Sequence, residues 1–166
     1  SNHQSILDIP LIFEFFRNKT VRFIAKEELG RHVPVVSEML RAHEHALIPR
    51  SGTPSAMMSV IDTFARRVME RKWIPVLFPE GTRTIDGKIN PFFRGFIYLF
   101  RSGDMDILPI TLNGFFDLKP KNRFTINFRS KLSVIIHEPV SKETLAGKDD
   151  NQIIETVRTI IKSAYY

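Results

Sequence analysis

His3 and Asp8 stand five residues apart in the segment Asn2-His3-Gln4-Ser5-Ile6-Leu7-Asp8. On one continuous helix, five steps of a turn of about 3.6 residues would leave them well apart around the axis, so His3 is expected to precede the helix. Ser5 and Asp8 read as S-x-x-D ahead of the apolar residues Ile6, Leu7, Ile9, Leu11 and Ile12, a helix start with Ser5 as N-cap and Asp8 three residues on. Such a turn folds His3 back towards the Asp8 carboxylate. An imidazole held on one ring nitrogen by a carboxylate is fixed in its tautomer, and the imidazolium that forms is stabilised. Its other nitrogen is then available to take a proton from a substrate hydroxyl. The same residues admit a plainer reading, a capping carboxylate beside a surface histidine.

A second candidate lies near the middle of the chain. Ile74 to Phe78 is a short apolar run suited to a buried strand, and Pro79-Glu80-Gly81-Thr82-Arg83 follows as the loop at its carboxyl end. Arg50 directly follows the run Ala46 to Pro49, and Arg83 follows Ile74 to Phe78 across the loop. Single arginines are ordinarily solvated charges, but placement after apolar runs favours a functional reading. His43 and His45 lack a third metal ligand at suitable spacing and read as a surface pair, while His32 and His137 carry no signal. Arg66, Arg67, Arg71 and Lys72 form a basic cluster that suits either anionic lipid headgroups or a solvated helix face.

The elements that must position these residues alternate between helix and strand. After the first helix, ended by Arg17-Asn18-Lys19, Val21 to Ala25 reads as a strand, Lys26 to Leu29 as a turn of helix closed by Gly30, and Val35 to Ala42 as a helix. Ala46 to Pro49 reads as a short strand. Thr53-Pro54 then gives an N-cap and first helical residue, with Met57, Ile61, Phe64 and Val68 on one stripe. Gly95 to Phe100 is expected as a helix, Ile107 to Leu112 as a strand, Phe124 to Phe128 and Leu132 to Ile136 as paired strands, and Asn151 to Ile161 as an amphipathic helix. The pattern predicts an α/β fold, a single domain with a mixed sheet flanked by helices, parallel near the site and hairpin-like towards the end.

A chain of 166 residues with 43% apolar residues and 14 phenylalanines can build one substantial core. The absence of cysteine excludes a disulfide framework and a thiol nucleophile, and fits a cytoplasmic setting. A net charge of +6 favours an anionic partner: nucleic acid, acidic headgroups or a phosphorylated substrate. No run of about 18 apolar residues suggests a membrane span. An active-site turn normally follows an element that positions it, so sequence upstream of Asn2 is expected to be missing.

The two blocks resemble those of the phospholipid and glycerol acyltransferase superfamily, most of all the lysophosphatidic acid acyltransferases. Asn2, His3 and Asp8 match a first block of the form N-H-x-x-x-x-D, and Phe78 to Arg83 match F-P-E-G-T-R, with Thr84 where a serine is usual. Phe23 to Leu29 resembles the lysine-bearing segment of the family and contributes Lys26. Leu47-Ile48-Pro49-Arg50 resembles a block in which aspartate usually stands where Pro49 does. Phe92-Phe93-Arg94-Gly95 resembles a segment in which lysine often precedes the glycine, and Ile107-Leu108-Pro109-Ile110 resembles a valine-proline strand near the acyl donor. Four blocks in order are far more specific than any one alone.

The resemblance implies one glycerol-3-phosphate acyltransferase-like domain over 1–166, shortened at its N-terminus. It implies transfer of a fatty acyl group from an acyl-CoA or acyl-carrier-protein thioester to the hydroxyl of lysophosphatidic acid, giving phosphatidic acid, with no metal or resident cofactor. His3 and Asp8 would be the catalytic pair; Glu80, Gly81, Thr82, Arg83, Arg50, Lys26 and Arg94 would line the substrate. Glu80 either meets a glycerol hydroxyl or, in the preferred reading, orients Arg83. Membrane association at the cytoplasmic face follows from the resemblance, as does the absence of a nucleic-acid partner. Another lysophospholipid, glycerol 3-phosphate or an amino-acid lipid remains open as acceptor. From a different class, so do a non-catalytic lipid-binding module and a nucleic-acid binder, the latter without an RNA-binding aromatic signature or zinc pattern.

Overall fold

The computed structural model describes residues 1–28, 36–49, 53–123 and 125–166. They fall into two compact units, one of Ser1–Phe15, Phe78–Ile97 and Met105–Tyr166, the other of Phe16–Leu77 and Tyr98–Asp104.

The second unit is a parallel α/β layer. β1 (Val21–Lys26) lies between β2 (Ala46–Ile48) and β3 (Ile74–Val76), parallel to both. Ile24 stands opposite Ala46, and Val21 opposite Ile74. Parallel strands need crossovers, and here α2 (Val36–Ala42) and α3 (Pro54–Arg71) supply them. Helix α3 begins as the sequence predicts. Thr53 has extended backbone, its hydroxyl accepts the Ala56 N–H at 3.2 Å, and Pro54 follows at the first helical position. Its stripe buries Ile61, Phe64, Ala65 and Val68. Ile61, Phe64 and Val68 each contribute about 1.5–3 kcal/mol when fully buried. The helix ends where Lys72 turns left-handed and the Trp73 N–H donates to the Val68 carbonyl at 3.0 Å.

In the basic cluster on α3, Arg67 and Arg71 both pair with Glu44 on the exposed face, and Arg71 lies over the Trp73 ring at 5.0 Å. One expectation changes here. His45 is not on the surface. It is buried, and its Nδ1 accepts the Phe23 N–H at 2.8 Å. The expected helical turn from Lys26 begins with Glu27 and Glu28 in a turn, and its remainder lies outside the described residues, as does His32.

The first unit holds α1 (Asp8–Phe15), β4 (Ile110–Asn113), α5 (Phe115–Leu118), β5 (Ser133–Ile136), α6 (Lys142–Leu145) and α7 (Asp150–Ser163); α4 (Gly95–Ser102) is shared by the two units. β4 and β5 are antiparallel, with Ile110 opposite Ile136 and Asn113 opposite Ser133. Helix α7 starts at a full capping box between Asp149 and Gln152 and buries Ile153, Ile154, Val157 and Ile161. Two polar side chains of β4 tie it down. Thr111 Oγ1 donates to the Ile161 carbonyl at 2.8 Å, and Asn113 Nδ2 to the Ala164 carbonyl at 2.9 Å.

The strands thus form a three-stranded parallel sheet and a separate antiparallel pair. The partner of β5 is β4; of the expected strand Phe124 to Phe128, Phe124 lies outside the described residues and 125–128 form no strand. The reason is local: Asn127 accepts the Arg129 N–H on its side chain and the Ser130 N–H on its carbonyl, a tight turn where a strand was expected. Ile107 makes only an isolated bridge to Val140, so β4 begins three residues later than the apolar run suggests. Among the described residues, no helix is long and apolar enough to cross a membrane.

Candidate active site

The helix expected from Ser5 begins instead at Asp8, after a turn in which the Asp8 N–H meets the Ser5 carbonyl at 3.3 Å. The carboxylate of Asp8 therefore sits on the first turn with its side chain aimed back along the chain. Its Oδ2 accepts three N–H groups, from Gln4 at 2.7 Å, Ser5 at 2.9 Å and the His3 ring Nδ1 at 2.8 Å. A carboxylate is an acceptor, so Nδ1 carries the hydrogen and the lone pair of His3 lies on Nε2. Asp8 is fully buried while the His3 side chain keeps 14% of its exposure, and Nε2 has no hydrogen-bond partner among the described residues. Oδ1 of Asp8 is buried without a partner among them as well.

Three further contacts hold the imidazole in place. Its ring stacks on Phe78, centroids 3.9 Å apart and planes 12° from parallel. Its backbone N–H donates to Glu80 Oε1 at 2.7 Å, and its carbonyl accepts the Thr84 N–H at 2.9 Å. The histidine segment and the loop after Phe78 are thereby one hydrogen-bonded assembly, although some 75 residues separate them in sequence. Glu80 Oε2 also accepts the Asn90 N–H, at 2.8 Å. Burial pushes the Glu80 carboxyl up, and these two N–H groups pull the other way. Among the described residues Glu80 makes no ion pair with Arg83, which revises its expected role. It braces the histidine backbone.

The loop bends at Gly81, whose φ of +62° suits a residue without a Cβ; an added Cβ would meet the Phe93 ring at 3.3 Å. Thr82 follows, exposed, 3.5 Å from Lys121 Nζ. Arg83 is half-buried and makes no hydrogen bond or ion pair with a described residue. Burial pulls its guanidinium below the ordinary value, opposed by the negative charge of Asp8. It remains a cation with five donors to offer.

The remaining expected residues make no hydrogen bond to this assembly among the described residues, or are not described. Arg94 is exposed and donates to Asn151 Oδ1 at 3.1 Å. Lys26 is exposed at the end of β1, in the other unit. Arg50 lies outside the described residues.

Other residues matter that spacing did not assign. Asn2 clamps β4 from both sides of its carboxamide, donating to the Leu112 carbonyl at 2.9 Å and accepting its N–H at 2.8 Å. Gln4 accepts the Phe115 N–H at 2.9 Å and donates to the Tyr165 hydroxyl at 2.8 Å, which in turn donates to the Gly87 carbonyl. Ser5 Oγ donates to the Lys119 carbonyl at 2.8 Å. Residues 2, 4 and 5 thus anchor the turn to β4 and α5 while 3 and 8 carry the proton-handling groups. Phe78 was visible only as part of its block. Among the described residues, no group of three or more His, Asp or Glu side chains is placed to hold a metal.

Fold and site together define an α/β protein with a carboxylate-held histidine braced against a cationic, glycine-bent loop. Residues 1–113 match the family model described as Acyltransferase. The chain is 30% identical over 159 residues to the 1-acyl-sn-glycerol-3-phosphate acyltransferase of Cocos nucifera, covering 96% of this chain and 50% of that one. It is 30% identical over 160 residues to the alpha form from Mus musculus, covering 95% and 54%. The crystal structure of the 1-acyl-sn-glycerophosphate acyltransferase PlsC from Thermotoga maritima superposes with a TM-score of 0.72 at 30% identity, over 98% of this chain and 61% of that one. The chain belongs to the acyltransferase family. It spans about half the length of the curated relatives it matches.

Proposed function

We propose that this chain carries the acyl-transfer centre of an enzyme that esterifies the free hydroxyl of lysophosphatidic acid, using an acyl-CoA or acyl-carrier-protein thioester and releasing the thiol. The observation that carries the reading is the His3 ring, fixed on Nδ1 by a buried carboxylate and on its face by Phe78, with Nε2 unpartnered among the described residues. Nε2 takes the proton of the acceptor hydroxyl as its oxygen attacks the thioester carbonyl. The tetrahedral oxyanion collapses, the C–S bond breaks, and the imidazolium returns the proton to the departing thiolate. A thioester is already activated and its thiolate leaves well, so a base and oxyanion donors suffice for the chemistry.

Asp8 holds the tautomer and stabilises the imidazolium, as carboxylates do for histidine bases generally. Arg83 receives the acceptor phosphate, since an unpaired half-buried guanidinium is a ready partner for a dianion. Gly81 and Thr82 form the loop that approaches it, and Glu80 acts through the His3 backbone as a positioning residue. Arg50, Lys26 and Arg94 are kept as candidate contacts to the rest of the substrates, and the protein is proposed to work at a membrane on its cytoplasmic face.

The test is thiol release from acyl-CoA and from acyl-carrier protein, each with lysophosphatidic acid, another lysophospholipid or glycerol 3-phosphate, with the lipid product identified by mass. Release that requires lysophosphatidic acid and yields phosphatidic acid is the expected result. Release that follows a different acceptor would move the substrate assignment, and silence with every pair would sink the acyl-transfer reading.

A further inference from the structure

The 20 residues 118–137, between Asp117 and Glu138, hold Lys119, Lys121, Arg123, Arg129 and Lys131 and not one Asp or Glu. Nearly the whole net charge of +6 is matched by this one stretch. Arg123, Arg129 and Lys131 make no ion pair with a described residue. Large apolar side chains are interleaved with them and stand in the open: Phe128 is 87% exposed, with Ile126, Leu132 and Ile136 also exposed. Phe128 is presented by a hydrogen-bonded turn, since the Asn127 N–H reaches the Leu118 carbonyl at 2.8 Å and the Ser130 N–H the Asn127 carbonyl at 3.1 Å. An ordered turn that holds a phenylalanine out among cations is poorly explained by water as its neighbour.

We infer that the strip of Lys121, Arg123 and the residues from Ile126 to Leu132 docks on an anionic lipid surface, with Phe128 entering the headgroup boundary and the cations meeting lipid phosphates. Bilayer interfaces favour this combination of aromatic body and surrounding positive charge. A solvated charged face would not need the apolar residues, and an apolar protein interface would not need so many unmatched cations. The strip is also joined to the site within its own unit: Lys121 Nζ lies 3.5 Å from Thr82 Oγ1, and Ser5 Oγ donates to the Lys119 carbonyl. Docking here would set the loop of Arg83 beside the surface in which a lysolipid resides. Docking is a property separate from acyl transfer and is measured without turnover.

The chain has no cysteine, so Phe128→Cys gives a unique attachment point for an environment-sensitive fluorophore, with Thr159→Cys on α7 as a second site. Each is mixed with phosphatidylcholine vesicles with and without phosphatidylglycerol, and with nitroxide-bearing lipid as quencher. The label at 128 is expected to shift to the blue and be quenched on anionic vesicles only, less so at high salt. The paired change Arg129→Glu with Lys131→Glu should lower the partition coefficient at least tenfold, given roughly fivefold per cation. A label at 128 that stays in water on anionic vesicles would overturn the proposal. So would a charge-reversed protein that binds vesicles as before but no longer captures an acidic acyl-carrier protein, which would assign the strip to a protein partner.

Discussion

His3 and His45 are both anchored through Nδ1, but in opposite senses. His3 donates from Nδ1 to the Asp8 carboxylate, so its lone pair lies on Nε2 and gaining a proton there strengthens the bond it already makes. His45 accepts on Nδ1 from the Phe23 N–H, so a proton there would break the bond. Burial, then the charges of Arg22 and His43, pull His45 down to about 4. One histidine sits beside a buried anion and the other beside cations. The first is arranged for proton transfer and the second for holding β1, and it is the partner atom, not the residue type, that separates them.

The comparison breaks most visibly by removing each ring. His3→Ala is expected to lower acceptor-dependent turnover by a factor on the order of a thousand with the fold intact, whereas His45→Asn, which keeps an acceptor, should leave turnover unchanged. Next in size is Asp8→Asn. The amide puts donors where three N–H groups expect an acceptor, so turnover should fall by roughly a hundredfold and stability by about 1–3 kcal/mol, read by thiol release and by urea denaturation. Arg83→Ala should raise KM for the phosphorylated acceptor and cut kcat/KM about 10- to 100-fold, with Arg83→Lys recovering part of it.

The His45 side of the comparison is sharpened by pH. Its folded pKa lies below the unfolded one, so as pH falls the unfolded chain takes up the proton first. The stability contribution is full above about pH 6.5 and is lost as pH drops towards about 4, at about 1.4 kcal/mol for each unit between. Urea midpoints measured across that window should fall in the parent and flatten in His45→Asn. The smallest effect is expected at Gly81→Ala, where left-handed backbone costs about 1–2 kcal/mol and the Phe93 ring must shift, giving a modest loss in thermal midpoint.

What the sequence made legible was what local rules govern. The Thr53-Pro54 cap and its stripe yield α3, apolar residues at helical spacing (Ile153, Ile154, Val157, Ile160 and Ile161) yield α7, and five-residue spacing places His3 ahead of a helix that carries Asp8. Residues whose partners are remote in sequence were misread or unread. Glu80 was expected to orient Arg83, its neighbour but two, and instead holds His3 from across 77 residues. Asn2 pairs with Leu112 and Gln4 with Phe115, contacts that leave no periodic trace. His45 was read as a surface residue because an isolated histidine says nothing about which strand covers it. Phe124 to Phe128 alternates like a strand, yet Asn127 forms a turn there, its N–H donating to the Leu118 carbonyl and its own carbonyl accepting the Ser130 N–H.

The most direct measurement is acceptor-dependent thiol release by His3→Ala, run beside a titration of lysophosphatidic acid binding on the same preparation. Turnover lost with binding retained is the predicted outcome and assigns His3 to the chemical step. Turnover equal to that of the parent would contradict the His3 and Asp8 mechanism outright.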